Sequence, residues 1–548
     1  MNRTRGMSGA LARWIDATVF DLGRQFRWSY LPPLMVYVAA GISGLTSIVG
    51  TFFIKEYLGL SAAFLASLAF WAGIPWALKM PLGHLVDLIW RWKSLLVYLG
   101  ASLIALSIAI MYGLITGPER MAAIMAIEAW YVASVLLAPI GYVIQDVVAD
   151  AMTVEAVPAV DERGEPYPDD TVKLMHTTMQ TLGRVAIMSG FVAVAALNIG
   201  MFAGVAAMSE AETASVYADI YLLALAIPAI SILGVTLGQI SLRSRAGRMR
   251  REGVAEDDIE KLLFQPAEQT KPNWWIFGGG FVFVAFTLAM GLGQVPFAQE
   301  IIFLGSMAIV LFLMQRLFAE LPREVRGALA GTAIIIFMFR AVPLPGPGVT
   351  WWEIDVLGFD QQFLSVLSLI TSGLALVGLV LFRRFLATRS IAEVVAILAI
   401  AAGVLSLPNI GLYYGLHLWT GQLTDGVVDA RFIAILDTAL ESPLAQISMI
   451  PMLAWIAKNA PAHLKATFFA VMASFTNLAL SASSLGTKYL NQIYTITREV
   501  RDRESGAIEI AADYGDVGWL LITVTAIVVL MPLATIWIVQ RSPLHTRQ

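Results

Sequence analysis

Apolar stretches, each near the 20 or so residues a helix needs to cross the hydrocarbon core of a bilayer, follow one another along almost the whole chain with short polar segments between them. The pattern predicts spans starting near Leu31, Ala62, Leu95, Met121, Leu174 and Tyr217, and a second set starting near Gly327, Phe363, Ile391, Arg431, Ala466 and Val517. Two more apolar stretches, Trp274 to Gln294 and Glu300 to Phe318, lie between the sets. Six, two and six give fourteen helices and an all-α polytopic membrane protein.

The two sets are related. Phe52 to Leu65, FFIKEYLGLSAAFL, returns without a gap as Trp351 to Leu364, WWEIDVLGFDQQFL: Leu58, Gly59, Phe64 and Leu65 reappear as Leu357, Gly358, Phe363 and Leu364, and Glu56 returns as Asp355. Such an echo in a chain of apolar segments marks two related halves, the organisation of a secondary transporter. It predicts a cytoplasmic N-terminal segment at 1–30, a six-helix bundle at 31–240, a basic cytoplasmic loop at 241–273, an inserted helical pair at 274–319, a second bundle at 327–540 and a cytoplasmic tail at 541–548. The pair falls outside the repeat, so it is expected on the outside of a twelve-helix core.

Composition narrows the function. Hydrophobic residues make up 58% of the chain against 14% charged, and mean hydropathy is +0.73, which leaves no sizeable soluble domain. Without cysteine there are no disulfides or thiolate metal sites, and the five histidines do not fall at metal-ligand spacing. No phosphate-binding loop suggests ATP as the driving force. No cofactor, nucleic acid partner or enzymatic activity is expected. Arg3, Arg5, Arg13, Arg24 and Arg27 precede the first span without the apolar core and cleavage site of a signal peptide. Leu11, Trp14, Ile15, Val19 and Leu22 there suit either a surface-lying helix or a solvated terminus.

Lys and Arg set the orientation. The N-terminus, Arg91 and Lys93, the run Arg243 to Arg251, then Arg383, Arg384, Arg389, Arg541 and Arg547 fall on one side, and the positive-inside rule makes it cytoplasmic. One opposite loop, Asn491 to Asp516, interleaves Arg498, Arg501 and Arg503 with Glu499, Asp502 and Glu504, and is expected to be a partly helical excursion.

Few charges lie inside the spans, where each is costly and therefore informative. In IQDVVADAMTVE, Asp146 and Asp150 stand four residues apart and share a helix face. Two carboxylates there can take up and release a proton for coupling, or simply bind neighbouring cations. Asp437 and Glu441 in ILDTALESP repeat the spacing, although Asp437 falls near the outer start of its span and Asp146 near the inner end of its own. Lys79, Arg184 and Arg340 are the intramembrane cations, each a candidate for an anionic substrate. Pairing with an acid on the fourth span is the competing role for Lys79, and snorkelling to the surface for Arg340.

GHLVDLIWRWKS, with Gly83, Asp87 and Arg91, resembles the loop between helices 2 and 3 of the major facilitator superfamily, which implies a gating role for these three. The usual second basic residue and second glycine are Leu88 and Trp90 here. PWALKMPLGHLVD, QDVVADAMTVE and the long SPLAQISMIPMLAWIAKNAPAHLKATFFAVMASFTNLALS are similar to signatures of the folate-biopterin transporter family within that superfamily. The resemblance implies a major facilitator fold of two pseudo-symmetric bundles, alternating access, and proton-coupled uptake of a folate or pterin across the cell inner membrane by a monomer. Lys79, Asp146 and Asp150 match its charged motif positions, whereas Lys465 stands where the family often has an acid. The region ending in DERG, Asp161 to Gly164, is also similar to the muropeptide permease family, whose members have fourteen helices and import anhydromuropeptides. A transporter-like factor for membrane assembly or pigment delivery is the alternative of another class.

Overall fold

The computed structural model describes residues 24–58, 60–77, 79–158, 167–264, 274–292, 295–319, 323–381, 389–442, 465–501 and 508–544. The first bundle comprises α1 (Leu31–Gly41) and α2 (Ser47–Tyr57), which together form the first span, then α3 (Ala62–Ala77) and α4 (Lys79–Leu88) as the second. It continues with α5 (Lys93–Thr116), α6 (Ile127–Ala156), α7 (Asp169–Met201), α8 (Glu210–Ala224) and α9 (Ala226–Arg251). A short amphipathic α10 (Glu256–Phe264) precedes the inserted helices α11 (Trp274–Leu292) and α12 (Ala298–Ala319). The second bundle holds α13 (Arg323–Arg340), α14 (Pro347–Asp355), α15 (Gln361–Leu381), α16 (Ile391–Leu405), α17 (Leu407–Tyr413), α18 (Leu416–Leu423), α19 (Ala430–Glu441), α20 (Lys465–Ile493) and α21 (Val517–Gln540).

Local sequence explains many of these boundaries. Pro32 and Pro33 open α1, where a missing N–H costs nothing. Ser209 and Glu212 form a reciprocal capping box at the start of α8, and Ser390 and Asp429 cap α16 and α19. Gly346, at φ 86°, supplies the left-handed turn before Pro347 that breaks the seventh span between α13 and α14. Among the described residues, nine helical stretches are long and apolar enough to cross a membrane, and two shorter apolar stretches, Phe277–Met290 and Ala298–Phe312, belong to the inserted pair. The fourth span starts at Ile127 rather than near Met121, because Pro118 begins a separate short helix through Ala122. Much of the long signature beginning at Ser442 lies outside the described residues.

Helices close where small residues meet. Gly100 of α5 faces Gly141 of α6 so tightly that a Cβ on Gly141 would fall 2.6 Å from the Gly100 carbonyl oxygen, and Gly41 of α1 meets Gly190 of α7 in the same way. Ser107 donates to the Ser134 main-chain carbonyl at 2.8 Å on the α5–α6 seam. The bundles meet along two lines, α3 against α20 and α7 against α15.

The inserted helices lie over the first of these lines. Phe283 of α11 and Ile302 of α12 share one apolar cluster with Phe70 and Ile74 of α3 and Leu485 of α20. Two adjacent residues at the start of α12 reach opposite bundles: Gln299 donates to the Ser67 carbonyl at 3.1 Å, and Glu300 accepts from Lys488 at 2.8 Å.

Beyond the end of α20 at Ile493, the described residues of the expected partly helical excursion are extended rather than helical. The excursion contains an antiparallel ladder of β1 (Val500–Arg501) and β2 (Ile508–Ile510), extended by the Thr497–Asp513 bridge. β-Branched residues on both arms favour the extended form.

The packing gives a stability test. Gly141→Val forces a side chain into the α5–α6 contact, so overpacking of about 1–3 kcal/mol should lower the melting temperature in detergent by several degrees. Gly83→Ala, whose Cβ would sit 3.9 Å from Val147 in ordinary contact, should melt like the native chain. Equal melting of both variants would contradict this packing.

Candidate functional site

The i, i+4 spacing on α6 delivers both carboxylates to one cation. Lys79 of α4 places Nζ 2.6 Å from Asp146 and 2.8 Å from Asp150. Asp150 also accepts from the Tyr37 hydroxyl of α1 at 2.8 Å. Pro75 precedes the lysine and Pro81 follows it, and α4 packs against α6. Asp150 is the more open of the two acids, with its side chain 47% exposed against 21% for Asp146.

Helix α7 completes this wall. Gln180 donates to Thr153 at 3.2 Å, and Thr153 in turn donates to the Asp150 main-chain carbonyl at 2.6 Å. Arg184 lies one helical turn beyond Gln180 on the same face, is exposed, and is within electrostatic reach of the Tyr37 hydroxyl. Lys79, Asp146 and Asp150 therefore come together in the first bundle, with Arg184 on the side of Tyr37.

A second cluster occupies the other bundle. Asp437 of α19 is 5% exposed and accepts from Asn409 of α17 at 2.8 Å, while its other carboxylate oxygen has no hydrogen-bond partner among the described residues. Glu441 lies one turn further along α19, and Glu353 of α14 lies within electrostatic reach of Asp437. Glu353 was not singled out from the sequence, although it stands in the repeated segment where the first half has the apolar Ile54. Tyr37 left no signal, being one tyrosine in an apolar span.

The remaining candidates are elsewhere. Arg340 ends α13, half-buried, just before the Pro-Gly break. Arg91 pairs at 3.3 Å with Glu260 of α10, at the exposed surface. Gly83 faces Val147, and a Cβ there would meet it at 3.9 Å, an ordinary contact. The Asp87 side chain lies outside the described residues.

At the end of the bundles carrying the β-ladder, the halves are tied together. Lys55 of α2 pairs with Asp355 of α14 at 2.6 Å, and Asp355 also accepts from Tyr514. Arg498 of the excursion donates through Nη1 to the Lys55 main-chain carbonyl and lies 5.1 Å over the Trp351 ring. Gln361 of α15 donates to the Tyr217 hydroxyl of α8 at 2.9 Å.

The sequence matches the BT1 family over residues 40–547. The chain belongs to that family. A folate-biopterin transporter of Synechocystis sp. is 23% identical over 478 residues, 86% of this chain and 76% of that protein. Among solved structures, a POT family transporter in complex with 5-aminolevulinic acid aligns with a TM-score of 0.60 at 12% identity, over 94% of this chain and 96% of that one. The nucleoside transporter NupG aligns at 0.51 with 11% identity, over 95% and 99%. The inward open conformation of the E. coli xylose transporter XylE aligns at 0.50 with 12% identity, over 94% and 97%. These likenesses place the BT1 chain in the major facilitator fold. It is a multi-pass membrane transporter and not an enzyme.

The shared lysine gives a charge-balance test. Lys79→Met leaves two neighbouring carboxylates without their cation, which costs about 1–3 kcal/mol after allowance for partial exposure. Thermal melting of purified protein should show that loss, and adding Asp146→Asn should recover part of it. A double variant that melts lower than Lys79→Met would contradict the shared-cation arrangement.

Proposed function

We propose that this BT1 protein imports an anionic solute, such as a folate or pterin, by proton-coupled alternating access between bundles at 31–240 and 327–540. The observation that carries the reading is one lysine shared by two carboxylates, one of them open to solvent. With both acids ionised, Lys79 is neutralised and unavailable to a solute anion. A proton on Asp150 releases part of that hold, so the cation can turn to a solute carboxylate and proton and anion are taken up together. Arg184, on the adjoining face of α7, offers a planar fork for the same carboxylate. Lys55–Asp355 and Arg498 at the tied end supply contacts that must break when access alternates.

The positive-inside distribution supports a cell inner membrane protein with both termini in the cytoplasm. The related Synechocystis protein favours a folate or pterin over an anhydromuropeptide and over a role in assembly or pigment delivery. Asp437 and Glu441 form, with Glu353, a second site where protonation can follow the cycle.

Proteoliposome uptake of labelled folate, a pterin and an anhydromuropeptide, with and without an inward proton gradient, tests the reading. Gradient-dependent accumulation of one anion is expected. Asp150→Asn should abolish accumulation while leaving exchange, with a weaker effect from Asp146→Asn; native accumulation by the double variant would sink the coupling scheme. Arg184→Lys keeps the charge but loses the fork, so the apparent KM should rise about tenfold with expression unchanged. Normal transport by Arg184→Lys, Arg340→Lys and Lys79→Arg alike would exclude an anionic solute.

A further inference from the structure

Arg498 is only half used by the contacts around it. It is 3% exposed, in the arm that leaves α20 for the β-ladder, and its Nη1 donates to the Lys55 carbonyl of the opposite bundle. Its flat face covers Trp351 at 5.1 Å. Among the described residues, Nε and Nη2 are buried and have no hydrogen-bond partner. Those two nitrogens form the side edge of the guanidinium, where two parallel N–H groups match the two oxygens of a carboxylate. Asp355, an acid within electrostatic reach, is already engaged by Lys55 and Tyr514.

Leaving such an edge unsatisfied is costly, because buried N–H groups on a cation forfeit strong hydrogen bonds. Burial pushes the Arg498 pKa down to about 10, so the group stays a cation at neutral pH. The fold thus holds a charged, aromatic-backed bidentate donor at the point where α2 and α14 come together.

We propose that the Nε–Nη2 edge of Arg498 is a carboxylate-binding site, and that a carboxylate bound there holds the tied end of the transporter shut. The proposal rests on the reading of the protein as an alternating-access importer of anions, and adds a second anion contact distant in sequence from Arg184. The carboxylate comes either from the solute itself or from a free small anion in the medium.

The native chain lacks cysteine, so paired spin labels at Ile124→Cys and Val356→Cys, both exposed, report opening at this end in the full-length reconstituted protein. Acetate at constant ionic strength, with neutral acetamide as control, should raise the closed-to-open ratio about tenfold, the worth of one charge-assisted bidentate pair. Arg498→Lys, which keeps the charge and loses the edge, should remove the acetate response. Folate should act like acetate if the solute supplies the carboxylate; a response to acetate without one to folate identifies a free anion, and leaves the site standing while counting against folate as cargo. Equal responses to acetate and acetamide overturn the site, as does a native response in Arg498→Lys. No response to acetate or folate in a protein that still accumulates folate also overturns it, and leaves the transport reading intact.

Discussion

A charge inside a bilayer is tolerated only when another charge, a hydrogen bond or water answers it, and that constraint organises the first bundle. Lys79, Asp146 and Asp150 answer one another at 2.6 and 2.8 Å, with Tyr37 as a fourth member. Three helical segments, α1, α4 and α6, must keep their relative positions for this to hold, and α7 braces α6 through Gln180 and Thr153. The glycine contacts that lock α5 to α6 and α1 to α7 therefore serve the charged site as well as the packing.

The two bundles satisfy the constraint differently. The first mixes acids with a lysine and an arginine, whereas the acids of the second, Glu353, Asp437 and Glu441, feel chiefly one another among the described residues. The echo between Phe52–Leu65 and Trp351–Leu364 survives in space as the Lys55–Asp355 contact, where the two copies of the repeated segment touch.

Much of the fold was legible because membrane spans announce themselves by length and hydropathy, and because an i, i+4 pair of acids can only share a helix face. The BT1 relationship was legible in PWALKMPLGHLVD and QDVVADAMTVE, where charges interrupt apolar sequence. Close approach was not. Gly100 and Gly141 drew no notice, because which glycines meet depends on how two helices cross. Tyr37, Glu353 and Arg498 were missed for a related reason: their significance comes from partners more than 80 residues away in sequence, such as Asp150 at a separation of 113 and Lys55 at 443. The β-ladder hid behind a run of charges that reads equally well as a helix.

The adjacent grips of Gln299 and Glu300 also constrain how the protein is made. Ser67 is synthesised 232 residues before Gln299, and Lys488 follows Glu300 by 188 residues. On leaving the ribosome, the inserted pair can dock at once on helices already in the membrane, but its second grip has to wait for nearly the last span. Until then α12 presents a carboxylate and an apolar flank with half their partners missing. In the finished protein the pair bridges the halves at the α3–α20 line, with one grip made by earlier sequence and the other by later sequence.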